Sequence, residues 1–117
     1  MLADFFIIGS TPGKGRNTDK VGSLQVAWWD HSDAADPVRY CADVRGFSDA
    51  FCDEVTDPET GAVKAEWIGR VIEVAAQEAT GAGRLRHPRM MRVRDDKTAN
   101  DCGVEQIEVF HTMAGAA

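Results

Sequence analysis

The stretch that decides how this sequence is interpreted is residues 84–97, which reads Arg84-Leu85-Arg86-His87-Pro88-Arg89-Met90-Met91-Arg92-Val93-Arg94-Asp95-Asp96-Lys97. It places five arginines and a lysine in a chain whose formal net charge at pH 7 is −6. Successive side chains of a strand point to opposite faces, so a strand here would hold Arg92 and Arg94 on one face. Guanidinium groups in fixed geometry suit phosphate oxygens, which accept their hydrogen bonds in pairs. The stretch therefore predicts a strand that binds polyphosphate or nucleic acid; the alternative is a solvated edge strand whose charges discourage aggregation.

The charges are segregated along the chain. Residues 84–97 carry six basic and two acidic side chains, whereas residues 30–59 carry nine acidic side chains against only Arg39 and Arg45. An acidic surface repels phosphate, and binding to nucleic acid depends on Lys and Arg. The segregation predicts one face that binds nucleic acid and one that repels it, although a soluble acidic protein with an uneven surface has the same pattern.

Hydrophobic periodicity and turn residues predict five strands, the number found in an OB-fold barrel. The predicted strands are Asp4–Gly9, Ser23–Asp30, Val38–Arg45, Arg70–Glu78 and Arg86–Arg94. Ser48 is expected to cap a helix between the third and fourth strands, and a short helix is expected at Val104–Thr112. Trp28 alternates in phase with core residues, so Trp29 alone among the tryptophans remains a candidate contact to bases.

Length and composition predict a single domain, residues 1–117, with one core. The cysteines are odd in number and lack C-x-x-C spacing, and the histidines are dispersed, so neither a disulfide framework nor a metal site is predicted. No apolar run is longer than the four residues Phe5–Ile8, which is far too short for a membrane span. We therefore expect a cytoplasmic protein with no membrane partner.

A glycine-rich loop, Gly13-Lys14-Gly15-Arg16, invites comparison with a P-loop. The spacing excludes this, because Gly15 follows Lys14 where a magnesium-binding hydroxyl belongs. A basic loop between strands is predicted instead, with Lys14, Arg16 and Lys20 as phosphate contacts. The alternative is an ordinary solvated hairpin.

Asp95 and Asp96 are neighbours and would point apart on a strand, so a turn or ion-pairing role is predicted for them rather than acid–base catalysis.

Further motifs accompany the basic stretch along the chain. They are Asp4-Phe5-Phe6-Ile7-Ile8-Gly9, Gly13-Lys14-Gly15-Arg16, Gly22-Ser23-Leu24, Tyr40-Cys41-Ala42-Asp43-Val44-Arg45-Gly46-Phe47-Ser48-Asp49, Asp101-Cys102 and Glu105-Gln106-Ile107. In this order, and together with Arg94-Asp95-Asp96-Lys97, they resemble the C-terminal OB-fold domain of ATP-dependent DNA ligases over residues 4–108. The departures are Met90-Met91, Phe5-Phe6 and Cys41-Ala42-Asp43, where relatives often have other residues. The resemblance implies a mainly β fold, a five-stranded Greek-key OB-fold barrel with one intervening helix and a short C-terminal helix.

The resemblance also implies roles for the basic residues. In the family, the terminal motif closes over the nucleotide during lysine adenylation and orients the β- and γ-phosphates of ATP. This role falls on Arg94 and Lys97, with Asp96 orienting them, while Arg86, Arg89 and Arg92 support the motif or contact DNA. ATP and Mg²⁺ are expected only jointly with a nucleotidyltransferase domain, and neither is expected to bind tightly to this chain alone.

None of the four lysines stands in the Lys-x-Asp-Gly motif that ligases adenylate. The chain is therefore expected not to be catalytic alone but to assist an adenylation domain supplied elsewhere and to clamp nicked duplex DNA, in repair, replication or recombination. The competing interpretation is a non-enzymatic OB-fold module that binds single-stranded nucleic acid. A folded relic without activity is a third possibility.

Overall fold

The computed structural model describes residues 2–15, 18–79 and 85–103, with only the backbone described at 78 and 79. In chain order the elements are β1 (Leu2–Pro12), β2 (Val21–Trp29), β3 (Val38–Val44), α1 (Asp49–Val55), β4 (Val71–Ala75), β5 (Glu78–Ala79), β6 (Leu85–Arg86) and β7 (Arg89–Arg94). Five strands form one antiparallel sheet in the order β3-β2-β1-β4-β7, and β5 pairs with β6. The predicted mainly β fold with a helix between the third and fourth sheet strands is confirmed.

The two edge strands of this sheet approach each other where β3 ends and β7 begins. Arg45 and Arg89 form a parallel bridge, in which the Met90 amide donates to the Arg45 carbonyl at 2.9 Å. Gly46 follows with φ +86°, a conformation that favours glycine. This contact makes the sheet a partly open barrel, consistent with an OB fold, since the sheet is not closed along its full length.

The predicted fifth strand, Arg86–Arg94, is interrupted at two residues. His87 has φ 51°, outside the strand region, and Pro88 has no N–H for a ladder hydrogen bond. The chain therefore forms β6 and β7 as separate strands. The predicted fourth strand, Arg70–Glu78, ends early at Ala75, because the following residues form β5, which pairs with β6. The predicted C-terminal helix, Val104–Thr112, lies outside the described residues.

Buried side chains lie on both faces of the sheet. Phe5 and Ile7 point into the main core, which also holds Trp28 and Val55 of α1. Ser48 caps α1 as predicted, accepting a hydrogen bond from the Phe51 amide at 3.2 Å. On the opposite face a smaller cluster forms from Phe6, Ala27, Val71 and Cys102. The first half of β1 is thus packed on both sides, which makes it a rigid support for residues beside it.

Candidate functional site

Charged side chains form a row across three strands on the face that carries Phe6. In the sheet register Asp4 of β1 lies opposite Glu73 of β4, and Glu73 lies opposite Arg92 of β7. Arg94 lies opposite Val71, one step further along the same face. The predicted placement of Arg92 and Arg94 on one face is therefore confirmed, because residues directly opposite each other in a ladder share a face.

Arg94 is the centre of this charged row and contacts three carboxylates. Its Nε and Nη2 donate to Asp96 Oδ1 and Oδ2, each at 3.1 Å, which is a bidentate pair. Its Nη1 lies 3.4 Å from both carboxylate oxygens of Asp4 and 3.7 Å from Glu73 Oε2. These contacts raise the pKa of Arg94, with the hydrogen bond to Asp96 as the largest cause. The same hydrogen bond lowers the pKa of Asp96 to about 2.

Lys97 joins the row through Asp4. Its Nζ donates to Asp4 Oδ2 at 2.6 Å, and this hydrogen bond is the largest cause of its raised pKa. The Asp4 side chain is only 8% exposed, against 18% for Arg94 and 33% for Lys97. One buried carboxylate therefore contacts both cations for which the family resemblance implies phosphate binding.

We call six residues the motif cluster: Asp4, Glu73, Arg92, Arg94, Asp96 and Lys97. Arg92 completes it through a contact of 3.4 Å from Nε to Glu73 Oε1. Its three basic and three acidic groups balance formally. The structure thus brings the three predicted motif residues together, already paired with carboxylates rather than exposed as a positive patch.

In the turn after β7, Asp95 forms an ion pair as Asp96 does. Asp95 accepts a hydrogen bond from Arg70 Nη2 at 2.6 Å, and the Arg70 guanidinium carbon lies 4.0 Å from the centre of the Trp67 ring. Both Asp95 and Asp96 are therefore ion-paired turn residues, as predicted.

Of the remaining predicted contacts that the structure describes, all but Arg89 lie outside the strands of the motif cluster. Arg89 stands at the other end of β7 from Arg94, roughly 17 Å away at a rise of about 3.3 Å per residue. It is exposed and adjoins exposed Arg45 at the β3–β7 bridge. Lys14 and Lys20, with Arg45, line an open cleft of about 810 Å³. We call Lys14, Lys20, Arg45 and Arg89 the junction surface.

The junction surface is less neutralised than the motif cluster. Within residues 2–15, 18–79 and 85–103, ion pairs of Lys14, Arg45 or Arg89 are absent, whereas Lys20 donates to Asp53 at 2.8 Å. That pair raises the pKa of Lys20. The cleft also contains Asp19, Asp49 and Asp53, so it is mixed in charge. Arg86 is exposed in β6, and Arg16 lies outside the described residues.

Three residues of these sites are absent from the sequence prediction. Asp4 and Glu73 each interrupt an apolar strand, and a lone carboxylate in such a strand signals a buried partner. The partner itself depends on strand pairing, which one sequence does not give. Arg45 looked isolated in an acidic segment because the bridge to Arg89 joins positions far apart in the chain.

The tryptophans offer little surface for stacking. Trp28 and Trp67 are buried, and Trp29 is half-buried against Phe6, with ring centres 6.0 Å apart. The described part of the chain contains no group of three or more His, Cys, Asp or Glu side chains that could hold a metal ion. The described helices also include none that is long and apolar enough to span a membrane.

Comparison with known proteins gave matches among solved structures. The ligase domain of M. tuberculosis LigD is 22% identical with a TM-score of 0.66, over 87% of this chain and 38% of that one. A mycobacterial DNA ligase D complexed with ATP and MES is 21% identical with a TM-score of 0.57, over 87% and 37%. A Lig E DNA ligase is 21% identical with a TM-score of 0.54, over 80% and 30%.

Neither the protein-family models nor the curated proteins gave a match. The chain spans well under half the length of the ligases that it matches. The chain therefore shares the fold of a part of these DNA ligases, in agreement with the resemblance in its sequence.

Proposed function

We propose that this chain acts as the OB-fold domain of an ATP-dependent DNA ligase, assisting lysine adenylation by ATP and clamping nicked duplex DNA. The nucleotidyltransferase domain is supplied elsewhere. The observation that carries the proposal is the pairing of Arg94 and Lys97 on Asp4, at 3.4 and 2.6 Å, within a fold shared with DNA ligases.

In the proposed adenylation step, a lysine of the partner domain attacks the α-phosphorus of ATP and pyrophosphate leaves. Arg94 and Lys97 bind oxygens of the β- and γ-phosphates, so that the leaving group is held in line with the nucleophile. Such positioning and charge stabilisation are the main means of catalysis in phosphoryl transfer. We place Mg²⁺ with ATP on the adenylation domain.

The hydrogen bonds of the motif cluster suggest how phosphate is admitted. Arg94 directs Nε and Nη2 to Asp96, which is 68% exposed, so Asp96 can be released to water without leaving a buried charge. Within the described residues Lys97 donates to Asp4 alone, which leaves two of its three N–H donors for phosphate. Phosphate therefore replaces the exposed carboxylate and joins the cluster from the solvent side.

For DNA we propose the junction surface, with Arg86 and Arg92 as further contacts. Within the described residues, ion pairs of Arg45 and Arg89 are absent, so phosphate can bind these two arginines without breaking an ion pair. Phosphate contacts carry no sequence information, and we expect weak sequence preference.

A complementation assay tests the role in adenylation. Alone, the chain should form no covalent AMP adduct and seal no nick. Mixed with or fused to a ligase adenylation domain, it should raise adenylation by ATP. Arg94→Ala and Lys97→Ala should each reduce this gain about a hundredfold, the scale of removing one donor from a charge-stabilising site. Sealing of a pre-adenylated nick should change much less.

Lys64→Ala is the control for loss of a lysine, because Lys64 lies outside both surfaces, in the turn before the 3₁₀ helix Ala65–Trp67. Adenylation at the wild-type rate by both Arg94→Ala and Lys97→Ala would remove the phosphate-orienting role. The basic stretch would then be a DNA contact only.

A further inference from the structure

Asp4 is the one carboxylate of the motif cluster that touches both proposed phosphate-binding cations. Lys97 Nζ lies 2.6 Å from Oδ2, and Arg94 Nη1 lies 3.4 Å from Oδ1. By contrast, Glu73 contacts Arg92 and Arg94, and Asp96 forms its hydrogen bonds with Arg94. The separation of Arg94 and Lys97 is therefore set mainly at Asp4.

The location of Asp4 suits this task. It stands on β1, the middle strand of the sheet, between Ala3 and Phe5, whose side chains are buried. Lys97 lies beyond the Asp95–Asp96 turn, on a flexible four-carbon stem. A carboxylate fixed to the packed centre of the sheet thus restrains a lysine that its own segment would leave mobile.

We infer that Asp4 is a positioning residue for adenylation, which holds Arg94 and Lys97 side by side so that they meet adjacent phosphates of ATP. The inference rests on the proposed function. A buried carboxylate between two cations also offsets their mutual repulsion, and a charge in such a site is stable only while it is paired. Without Asp4, the cations separate and the preorganised site is lost.

An opposite role, in which Asp4 competes with ATP for the cations, fits the burial less well. The Asp4 side chain is 8% exposed and both cations are more exposed, so phosphate can reach them from solvent while Asp4 stays in place.

The test compares Asp4→Asn with Asp95→Asn in the chain fused to a ligase adenylation domain. The two aspartates each accept a hydrogen bond of 2.6 Å from a cation, but Asp95 is 77% exposed and pairs with Arg70, outside the motif cluster. Asp4→Asn should lower kcat for adenylation by about tenfold to a hundredfold, the scale of a small misplacement of binding groups. Asp95→Asn should remain close to wild type, and sealing of a pre-adenylated nick should change little in both variants.

A double-mutant cycle shows whether Asp4 acts through the cations. In the Arg94→Ala, Lys97→Ala background, Asp4→Asn should have little further effect on kcat, because the residues that it positions are gone. An equal loss in that background would overturn the inference, and so would a fall in KM for ATP at unchanged kcat, which indicates competition. Wild-type adenylation by Arg94→Ala and Lys97→Ala would instead overturn the proposed function itself.

Asp4→Glu covers the case in which Asp4→Asn does not fold. It keeps the charge but moves the carboxylate by one methylene, so Lys97 and Arg94 are held in a shifted arrangement. We expect a smaller loss in kcat than for Asp4→Asn, with a thermal midpoint near that of the wild type. Full wild-type kcat in Asp4→Glu would show that the place of the carboxylate does not matter and would overturn the inference.

Discussion

Asp4 and Asp96 both contact Arg94, but they differ in solvent exposure, and we therefore propose different roles for them. Asp96 is 68% exposed and its bidentate pair with Arg94 can exchange with water or phosphate at little cost. Asp4 is 8% exposed and is contacted by both Arg94 and Lys97, so removing either cation leaves a buried charge with less compensation. At the scale of single residues, the motif therefore has one fixed carboxylate and one replaceable carboxylate around the same guanidinium.

The replaceable pair predicts a pH dependence. The pKa of Asp96 is lowered to about 2 from an ordinary value of 3.8, with the hydrogen bond from Arg94 as the first cause. A carboxyl whose pKa is lower in the folded state stabilises the fold above its unfolded pKa, and loses this contribution as pH falls through the folded pKa. The difference in urea midpoint between wild type and Asp96→Asn should thus be constant above pH of about 5 and shrink between about 4 and 2.

Carboxyl NMR titration checks the cause directly. The Asp96 signal should titrate near the low value in wild type and move toward 3.8 in Arg94→Ala. Asp33 serves as the control, since its pKa is lowered by a hydrogen bond from Arg39 instead and should not respond to Arg94→Ala. An ordinary titration of Asp96 in the wild type would contradict the assigned pair.

At the scale of elements, the junction of β3 and β7 depends on a glycine. A Cβ on Gly46 would lie 2.9 Å from Arg89 Cβ, an atom held by the β7 backbone. Gly69 has a nearly equal φ, +89° against +86°, but meets nothing within 4 Å. Gly69→Ala should cost about 1–2 kcal/mol from backbone strain alone, and Gly46→Ala about 1 kcal/mol or more beyond that from the clash.

Urea unfolding measures the two costs, and hydrogen exchange locates them. The Met90 amide, which donates to Arg45 across the junction, should exchange faster in Gly46→Ala and at the wild-type rate in Gly69→Ala. Equal destabilisation of the two variants would show that the contact between β3 and β7 adds nothing to stability.

The elements also show how far the sequence determines the site. Local patterns predicted β1, β2, β3 and α1, because alternation in β3 and the Ser48 cap are properties of neighbouring residues. The break at His87 and Pro88 was missed, although proline in a strand gives a warning. Asp4 and Arg45 were missed for a different reason: their partners lie 90 and 44 positions away in the chain, and only strand pairing brings them together.

At the scale of the whole molecule, acidic side chains gather around Arg39 in the segment between β2 and β3. Arg39 forms ion pairs with Asp30, Asp33 and Asp36, the shortest of which is 2.7 Å to Asp33. With a net charge of −6, the protein repels DNA at long range, and attraction depends on local sites. The motif cluster is formally balanced, so the junction surface is the stronger source of attraction.

This distribution predicts how DNA affinity responds to salt. Affinity for nicked duplex should be modest, fall steeply as salt rises and exceed that for an equal length of single strand. Arg45→Gln and Arg89→Gln should each lower the slope of log K against log salt by about one, the loss of one phosphate contact. Arg39→Gln changes the net charge by the same amount, but Arg39 already pairs with Asp33, so the slope for this variant should stay at the wild-type value.

Fluorescence anisotropy with nicked, intact and single-stranded probes measures all three variants. If Arg39→Gln lowered the slope as much as Arg45→Gln and Arg89→Gln, the effect would come from net charge and not from the junction surface. Tighter binding of the single strand at every salt concentration would favour a single-strand-binding module over a ligase domain.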